Sequence, residues 1–581
     1  MNPHADRVRA AGVTGVVTRV SASCPAITAQ YVRRVGMFGG RNRTDLASAP
    51  QEVDSTMTNL GELSVKAARY APSAPALIEP HLGIARTFGE LRDRVELLAH
   101  VLQDYLGAGR GERVAVYSRN SLEFIELYLA CARTGSVLFP LNWRQSAAQS
   151  RLALREAAPT VVFYDTEFKN QIDELRDEAQ QASWLGWTPG FDSEFEESLR
   201  RADAEHSRFS GLPEPGSLLN DPYLAVSTGG TTGTQKSAVH SQATYLGSLV
   251  NYLAAQRINE RDVFMMLGPL FHVTGYMVLA HLAMSRPVVI TNFDADVTVD
   301  VIRQESVSGF FCIATMLPRI VASLSSSGLD TPSVRLVGYG GATMGDSVIR
   351  AAATLMSTDL VQIWGMSELG TGTILGPEAH RRAFSGERPE LLGSCGRAAF
   401  LSSVSVRDEA DRPVPQDGRT IGELCHAGPN NMLRYWNREK ETSDLIRNGW
   451  IYSGDGATWD AEGNVFIVDR IKNMIISGGE NIFPAEIEKT LANVDGVSEV
   501  AVVGAPHADW GEVVRAVVVR RPGADVTRAA LVSAVESAHG SYRKPRIVDF
   551  VESLPMTPTG KVDLRVLKAM PVSDPEANLQ R

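Results

Sequence analysis

From residue 60 onward, short apolar runs alternate with amphipathic segments, and no other feature restricts the fold of this chain as strongly. The apolar runs have the length and composition of buried strands, while segment 122–133 repeats its apolar residues three and four positions apart, as a helix does. Strands separated by helices predict an α/β fold, with a mostly parallel sheet and helices on both faces. Such folds bind ligands beyond the carboxyl ends of their strands. We predict strands at 113–118, 136–141, 160–164, 223–226, 287–291, 309–313, 335–339 and 360–364.

The chain length of 581 residues predicts more than one hydrophobic core, and a hydrophobic content of 44% is ordinary for globular domains. A large N-terminal α/β domain is predicted at 57–469. Its last part, after Leu392, has shorter strands at 422–424 and 463–468, which indicate a β-rich subdomain. A small α+β C-terminal domain is predicted at 470–581. Its elements are predicted helices at 484–492 and 528–539 and strands at 499–503, 513–520 and 546–551.

Residues 1–56 differ in composition from the rest of the chain. They contain seven arginines, and Asp6 is the only acidic residue before Asp45. Three interpretations are open: a disordered arm, an arginine-rich targeting segment, or sequence upstream of a true start at Met37 or Met57. We expect a disordered extension without a role in the function.

Charge, hydropathy and cysteine usage exclude several classes of protein. A net charge of −10 does not favour a nucleic-acid partner. No apolar run reaches about 18 residues, so no membrane-spanning helix is expected. The five cysteines are scattered, with no C-x-x-C pair and no histidine cluster at zinc spacing, which is typical of small buried, reduced thiols in a cytoplasmic protein. The oligomeric state is left open, with a homodimer as one candidate.

A loop of glycine and threonine follows the predicted strand 223–226 directly and runs from Ser227 to Ser237. Its glycines allow backbone N–H groups to converge on an anion, its hydroxyls add donors, and Lys236 adds a positive charge, so we predict a polyphosphate site. A Walker A loop requires glycine directly before the lysine, where this chain has Gln235. A flexible linker is disfavoured because linkers seldom follow a buried strand directly. Ser241 is the predicted N-cap of a helix at 243–257.

Five further motifs follow this loop in order, at 269–275 (PLFHVTG), 338–342 (GYGGA), 362–368 (QIWGMSE), 450–455 (WIYSGD, with 469–482 close behind) and 555–561 (PMTPTGK). Together with the loop, the set resembles the adenylate-forming superfamily of acyl-CoA synthetases, adenylation domains and luciferases. The resemblance covers about residues 60–568. The continuous segment 474–482 is most similar to aryl- and fatty-acid–CoA ligases.

The resemblance implies a reaction of two steps. A carboxylate attacks the α-phosphate of ATP to give an acyl-adenylate and pyrophosphate, and the thiol of coenzyme A then displaces AMP. The implied cofactors are ATP, Mg²⁺ and coenzyme A, and the implied substrate is a small-molecule carboxylic acid. We expect an aryl acid or an acid of medium chain length. Two alternatives are kept: transfer of the acyl group to a carrier-protein pantetheine or an amine, and a catalytically silent nucleotide-binding protein.

The resemblance also implies roles for individual residues in the first step. Glu368 would coordinate Mg²⁺, Ser367 would hydrogen-bond the α-phosphate, and Lys561 would bridge the carboxylate and the α-phosphate, which argues against a silent protein. The remaining nucleotide contacts would be made by residues at the phosphates (Thr228, Gly229, Gly230, Thr231, Thr232, Gly233 and Lys236), at the adenine (Gly340, Gly341, Ala342 and Trp364) and at the ribose (Asp455 and Arg470).

Other implied roles concern the second step and the acid. Lys472 occupies the hinge position about which a mobile C-terminal domain would rotate between the two steps. Gly478 and Gly479 would then border a tunnel for pantetheine, and His272 would lie where the acid meets the thiol. The acyl pocket would be lined by Phe271, Thr274, Tyr276, Ala314, Met316 and Gly340.

The chain departs from the family pattern at several positions without losing a group that the reaction needs. Gln235 and Ser237 replace the usual proline and glycine around Lys236, and Arg434 stands where glycine is common. Trp364 and Ser367 replace the usual tyrosine and threonine and keep their chemistry. A hydrolase elbow does not fit, because 365–370 has one residue too many for G-x-S-x-G. Segment 338–343 lacks the third glycine of a dinucleotide fingerprint.

Overall fold

The computed structural model describes residues 59–205, 211–228, 236–556 and 562–572. These residues all belong to one compact unit of the chain, Ser55–Arg581. The predicted extension at 1–56 lies outside the described residues.

The strands of the described ranges are short, as expected for an α/β fold. They are β1 (Pro75–Glu79), β2 (Ile84–Thr87), β3 (Arg113–Tyr117), β4 (Val137–Pro140), β5 (Val161–Asp165), β6 (Ser183–Trp187), β7 (Pro222–Thr228), β8 (Lys236–Ser241), β9 (Phe264–Met266), β10 (Val288–Ile290), β11 (Gly309–Ile313), β12 (Leu336–Gly340), β13 (Asp359–Trp364), β14 (Thr373–Leu375), β15 (Arg397–Ala398), β16 (Ser403–Arg407), β17 (Gly422–Ala427), β18 (Arg434–Tyr435), β19 (Ile446–Arg447), β20 (Trp450–Trp459), β21 (Val465–Arg470), β22 (Ile475–Ser477), β23 (Glu480–Ile482), β24 (Val497–His507), β25 (Gly511–Arg520) and β26 (Ile547–Val551).

The α-helices alternate with these strands. They are α1 (Glu62–Tyr70), α2 (Phe88–His100), α3 (Leu122–Thr134), α4 (Ala147–Ala157), α5 (Lys169–Asp173), α6 (Glu194–Glu205), α7 (Gln242–Gln256), α8 (Gly275–Ala283), α9 (Ala295–Gln304), α10 (Leu317–Ser327), α11 (Asp346–Met356), α12 (Pro377–Phe384), α13 (Glu439–Leu445), α14 (Pro484–Ala492), α15 (Arg528–His539) and α16 (Leu564–Ala569).

Two large sheets form most of the structure up to β15. Sheet A has the strand order β15-β14-β13-β12-β11-β9-β10-β1-β2, and sheet B has the order β18-β8-β7-β4-β3-β5-β6. The pairings from β13 to β1 and from β7 to β6 are parallel, and antiparallel strands close both edges of sheet A and one edge of sheet B. The predicted mostly parallel α/β fold is therefore confirmed.

Two smaller, mainly antiparallel sheets follow. Sheet C joins β16, β17, β19, β20 and β21, and it corresponds to the predicted β-rich part. Sheet D joins β22 to β26 and carries α14 and α15. It forms the predicted α+β C-terminal domain.

The largest apolar core joins sheet A to sheet B. It contains side chains of both sheets, such as Leu77 and Val114, together with residues of α3, α7 and α8. Helix α3 is buried on nearly all sides, including its polar residues Glu123 and Glu126. Because α3 has almost no side that faces solvent, it lies inside the core that joins the two sheets.

The helix boundaries follow from capping residues that the sequence contains. Ser241 caps α7, as predicted, and its side chain accepts a hydrogen bond from the backbone N–H of Thr244. The Thr244 side chain in turn accepts from the backbone N–H of Ser241, which completes a capping box. Helix α15 begins after Thr527 and ends before Gly540, which has a φ of +86°.

Within the described ranges, no helix combines the length and apolarity that crossing a bilayer requires. Cys131, Cys312, Cys395 and Cys425 are free and buried, in line with the prediction that they pack as small apolar side chains. The fifth cysteine, Cys24, lies outside the described residues.

A cluster of buried carboxyl groups lies where β1 meets the start of α3. Glu79 is 2% exposed and Glu123 is 3% exposed. The Oε2 atoms of both residues have no hydrogen-bond partner among the described residues. Burial, with the nearby Glu123 and Asp165, raises the pKa of Glu79 to about 8, while the backbone at Leu122 and the Arg86 guanidinium oppose the shift. In the folded protein, Glu79 therefore keeps its proton up to a pH of about 8, whereas in the unfolded chain it loses the proton at a pH of about 4.5.

We predict that Glu79 makes the free energy of unfolding depend on pH. Because its pKa is raised on folding, its contribution to stability is complete below a pH of about 4.5 and is lost as the pH rises through about 8. Glu79→Gln should match the wild type near pH 5 and exceed its stability near pH 9, by an amount on the order of 3 kcal/mol. Urea unfolding at both pH values measures this difference. The exposed substitution Glu174→Gln is the control, and equal behaviour of the two variants would contradict the prediction.

Candidate active site

The motif residues converge at the carboxyl edge of sheet A. Ile313 at the end of β11 pairs with Gly340 at the end of β12, and Gly340 pairs with Ile363 near the end of β13. The predicted residues that follow each strand are thereby brought side by side. These are Ala314 and Met316 after β11, Gly341 and Ala342 after β12, and Ser367 and Glu368 after β13.

Close backbone approaches determine the shape of this edge. A Cβ atom at Gly340 would lie 2.3 Å from the carbonyl oxygen of Ile363, and Gly341 has a φ of +81°. A Cβ atom at Gly365 would lie 1.7 Å from the carbonyl oxygen of Gly370. A side chain at Gly340 or Gly365 would therefore require the backbone to move, and at Gly341 the positive φ strains any residue with a side chain.

Trp364 and Asp455 link sheet A to sheet C. The indole Nε1–H of Trp364 donates to Asp455 Oδ2 over 3.0 Å. Arg470, the antiparallel partner of Asp455 across β20 and β21, forms an ion pair with Asp455 Oδ1 at 2.8 Å from its Nε atom. Asp455 is 6% exposed. Trp364 and Arg470 orient its carboxylate from two sides, and the sequence assigned both residues to the same nucleotide site.

Glu368 lies where sheet A meets the antiparallel edge of sheet B. Its side chain is buried, and its Oε1 atom accepts a hydrogen bond of 2.5 Å from the hydroxyl of Tyr435 in β18. The ammonium of Lys236, at the start of β8, lies 5.0 Å from the centroid of the Tyr435 ring. Lys236, Tyr435 and Glu368 therefore form one continuous cluster.

The electrostatics of Glu368 suit a cation. Burial raises the pKa of its carboxyl above the ordinary value, against the hydrogen bond from Tyr435 and the positive charges of Arg470 and Lys236, which lower it. A buried carboxylate is costly unless a cation or strong donors compensate it. Oxygen from a carboxylate is a preferred ligand of Mg²⁺, which takes its remaining ligands from phosphates and water. The residues present therefore fit a magnesium ion held together with a polyphosphate.

The loop after β13 is anchored by residues of sheet B and its neighbours. His240 Nε2 lies 2.7 Å from the carbonyl oxygen of Ser367, and the backbone N–H of Met432 donates to the carbonyl oxygen of Glu368 over 2.8 Å. The Asn430 amide donates to the carbonyl oxygens of Leu369 and Thr371 at 2.6 and 2.9 Å. Burial lowers the pKa of His240 to about 4, so its ring is neutral and donates to Ser367.

The predicted polyphosphate loop is bounded by two paired strands. β7 and β8 are antiparallel, and Thr228 pairs directly with Lys236. Gly229, Gly230, Thr231, Thr232 and Gly233 lie outside the described residues. Lys236 stands next to Glu368 through Tyr435, so the base of this loop adjoins the buried carboxylate.

The predicted acyl-pocket residues lie near the same edge. Phe271 and Met316 are buried, and His272, Thr274 and Ala314 are partly buried. The hydroxyl of Tyr276 lies 2.8 Å from Thr371 Oγ1, so this ring packs beneath the loop that carries Glu368.

Two predicted groups of the C-terminal domain are described by the structure. Desolvation and the neighbouring Arg470 lower the pKa of Lys472, while Asp455 and Glu368 oppose the shift, so Lys472 faces the same cluster of charges. Gly478 and Gly479 form the turn between β22 and β23, with φ angles of +59° and +87°, and the Gly478 N–H donates to Trp510. Lys561 lies outside the described residues, between Met556 and Val562, which pair as an antiparallel bridge.

Sequence reasoning missed two residues that contact this site. Tyr435 belongs to a segment that was noted only for Arg434 before it, and no role was predicted for His240. Neither contact is local, since 67 positions separate Tyr435 from Glu368 and 127 separate His240 from Ser367. The one signal for Tyr435 in the sequence is that it forms an aromatic pair with Trp436, in the segment between the motifs at 362–368 and 450–455.

A carboxyl-edge site with a glycine–threonine loop, a buried carboxylate and an aromatic–carboxylate pair defines a nucleotide-using α/β enzyme. Comparison with family models gives the family: the AMP-binding enzyme model matches residues 64–436, and the model of the AMP-binding enzyme C-terminal domain matches 486–561. The chain belongs to the AMP-binding enzyme family. The resemblance to the adenylate-forming superfamily is confirmed, and so is the predicted class of enzyme, an AMP-forming acid–CoA ligase.

Relatives and solved structures match almost the whole described chain. A long-chain-fatty-acid–CoA ligase of Mycobacterium tuberculosis is 32% identical over 88% of this chain and 98% of its own length. A feruloyl-CoA synthase of an Amycolatopsis species is 32% identical over 87% of this chain and 97% of its own. The crystal structure of ATP-bound MatB from Rhodopseudomonas palustris has a TM-score of 0.76 at 26% identity, covering 88% of this chain and 98% of that one.

We predict that Trp364→Phe weakens ATP binding, although the aromatic ring is retained. The substitution removes the 3.0 Å hydrogen bond that orients Asp455, and a bond to a charged group contributes enough that the Kd for ATP should rise about tenfold. Isothermal titration with ATP measures the change. Trp459→Phe is the matched control, because Trp459 also donates a 3.0 Å hydrogen bond, to the carbonyl oxygen of Val414. An equal loss of affinity in both variants would contradict the prediction.

Proposed function

We propose that this AMP-forming ligase activates an aryl or medium-length carboxylic acid in the cytoplasm and transfers it to coenzyme A, with the residues at the carboxyl edge of sheet A as its adenylating site. The observation that carries the proposal is the cluster of Glu368, Tyr435 and Lys236 beside the Trp364–Asp455 pair. This cluster brings together three groups that adenylation needs. Glu368 would bind a cation, Lys236 would bind phosphates, and the oriented Asp455 carboxylate would bind hydroxyl groups.

The first step needs an oriented nucleotide. Asp455, fixed by Trp364 and Arg470, would accept hydrogen bonds from the ribose hydroxyls, and the open turn at Gly341 and Ala342 would lie against the adenine. Thr228 and Lys236, with the loop between them, would hold the β- and γ-phosphates. Ser367 would bind the α-phosphate.

The chemistry is a displacement at phosphorus followed by a displacement at carbon. A carboxylate oxygen of the substrate bonds to the α-phosphorus of ATP while the bond to pyrophosphate breaks. The sulfur of the coenzyme A thiol then bonds to the acyl carbon while the bond to AMP breaks, and the thiol proton is released. Negative charge develops between the carboxylate and the α-phosphate in the first step, and Lys561 would stabilise it.

Glu368 is the residue that would hold Mg²⁺. Bound there with the nucleotide phosphates, the ion would neutralise their negative charge and orient the pyrophosphate leaving group. The burial of Glu368 supports this assignment, because a buried carboxylate is stabilised by a bound cation. The neighbouring Lys236 and Arg470 also support it, because their positive charges lower the pKa of the carboxyl against the effect of burial.

We further propose that the chain divides at about residue 470 and that its C-terminal domain rotates about Lys472 between the two steps. One position would bring Lys561 to the α-phosphate. The other would bring Gly478 and Gly479 to the pantetheine arm, with His272 near the thiol. Phe271, Thr274, Tyr276, Ala314 and Met316 would line the acid pocket.

The acid and the acceptor are tested by measuring pyrophosphate release across aryl and straight-chain acids, with and without coenzyme A. We expect release with aryl or medium-length acids, and a thioester only when coenzyme A is present. If an acyl-adenylate accumulates and coenzyme A never enters a product, the acceptor is instead a carrier-protein pantetheine or an amine. Pyrophosphate release with long-chain acids alone would contradict the proposed substrate class.

We predict that Lys561→Ala separates the two steps. Loss of the positive charge at the developing negative charge should slow adenylation about 100-fold or more. Thioester formation from a supplied acyl-adenylate should stay within a few-fold of the wild type. Lys568→Ala, at an exposed position seven residues later, is the matched control and should leave both steps unchanged. Equal losses in both steps would contradict the role of Lys561 in adenylation.

A further inference from the structure

Tyr435 is the side chain that connects two charged groups of the site, the Glu368 carboxylate and the Lys236 ammonium. Its hydroxyl donates to Glu368 Oε1 over 2.5 Å, and the Lys236 ammonium lies 5.0 Å from the centre of its ring. Tyr435 is 4% exposed and Glu368 is 6% exposed, so this hydrogen bond lies in a largely buried environment. A buried donor–acceptor pair of this kind restricts both partners to one geometry.

The backbone of Tyr435 is itself fixed, which gives the hydroxyl a defined position. Tyr435 pairs with Ala238 across β18 and β8, and its N–H donates to Thr442 Oγ1 over 3.0 Å. The backbone N–H of Met432, three residues earlier, donates to the carbonyl oxygen of Glu368. The segment before α13 therefore contacts Glu368 twice, once at its backbone and once at its carboxylate.

We propose that Tyr435 is a positioning residue: its hydroxyl holds the Glu368 carboxylate in the orientation that binds the divalent cation. A carboxylate without this bond can rotate about its terminal torsion, which has a broad energy minimum. Fixing one oxygen before the cation arrives removes that freedom and reduces the cost of binding. The inference rests on the proposed role of Glu368 and adds a residue that does not itself touch the reacting atoms.

Tyr435→Phe isolates the hydroxyl, because it keeps the ring, the strand pairing and the position of Lys236 against an aromatic face. The readout is the affinity for Mn²⁺ of the ATP-bound protein, measured by electron paramagnetic resonance in the absence of any acid, so that no turnover occurs. We expect the Kd for Mn²⁺ to rise about three- to tenfold. The Kd for ATP in the presence of EDTA should remain within about twofold of the wild type, since the hydroxyl acts through Glu368.

Tyr223→Phe is the matched control. Tyr223 is also buried, and its hydroxyl donates to the carbonyl oxygen of Tyr128 over 2.8 Å, far along β7 from the loop. It should leave the Mn²⁺ affinity unchanged. Tyr435→4-aminophenylalanine restores a donor at the same place and should recover most of the lost affinity, which a defect in folding would not.

A double-mutant cycle with Glu368→Gln decides between positioning and a separate effect. If Tyr435 acts through Glu368, Tyr435→Phe should cause no further loss of Mn²⁺ affinity in the Glu368→Gln background. The same three- to tenfold loss in both backgrounds, or no loss in the wild-type background, would overturn the inference while leaving the proposed function intact. Unchanged Mn²⁺ affinity in Glu368→Gln alone would overturn the proposed magnesium role itself, and the inference with it.

Discussion

A carboxylate removed from water is the constraint on which the arrangement of this site depends. Glu368 is buried in the loop that follows β13, and an ionised group in that position is stable only with donors and positive charge around it. The chain supplies these from three sheets: the loop of sheet A carries Glu368, sheet B contributes Lys236 and Tyr435, and sheet C contributes Arg470. The negative charge of Glu368 is thus balanced by positive charges and a donor from neighbouring sheets. A nucleotide with its cation also carries both negative and positive charge, so its charges complement those of this site.

Local sequence determined most of the fold, and the differences between the predicted and the observed elements have physical reasons. The helix predicted at 528–539 is observed as Arg528–His539 because Thr527 and Gly540 mark its ends. The strand predicted at 463–468 is shifted to Val465–Arg470 because Gly463 adopts a φ of +79° in the preceding turn. Edge strands of two to four residues, such as β2, β15 and β18, were not predicted. Their pairing depends on the strand beside them and leaves no periodic pattern of their own.

The site was predictable only as far as its residues lie within motifs. Asp455 and Arg470 were assigned together, and the structure joins them as partners across one strand pair. The contacts of Tyr435 and His240 arise from the packing of distant segments, and no spacing in the sequence encodes them. The same limit applies to the acid pocket, since the depth of a pocket depends on how buried side chains such as Tyr276 and Met316 pack together. Residues that touch a ligand are recognisable by their chemistry, whereas residues that orient them are recognisable only by contact.

The pairing of Thr228 with Lys236 has a consequence for how this loop can vary. Because the two residues face each other across an antiparallel ladder, the position of the lysine is determined by strands β7 and β8. Seven residues, 229–235, separate the two partners in the sequence. Of the two unusual residues beside the lysine, Gln235 lies outside the described residues, whereas Ser237 lies within β8 as the ladder partner of Ser227 and so belongs to the pairing that positions Lys236. We therefore expect that the loop sequence can change, during evolution or by protein engineering, while the pairing of β7 with β8 keeps the Lys236 charge in place.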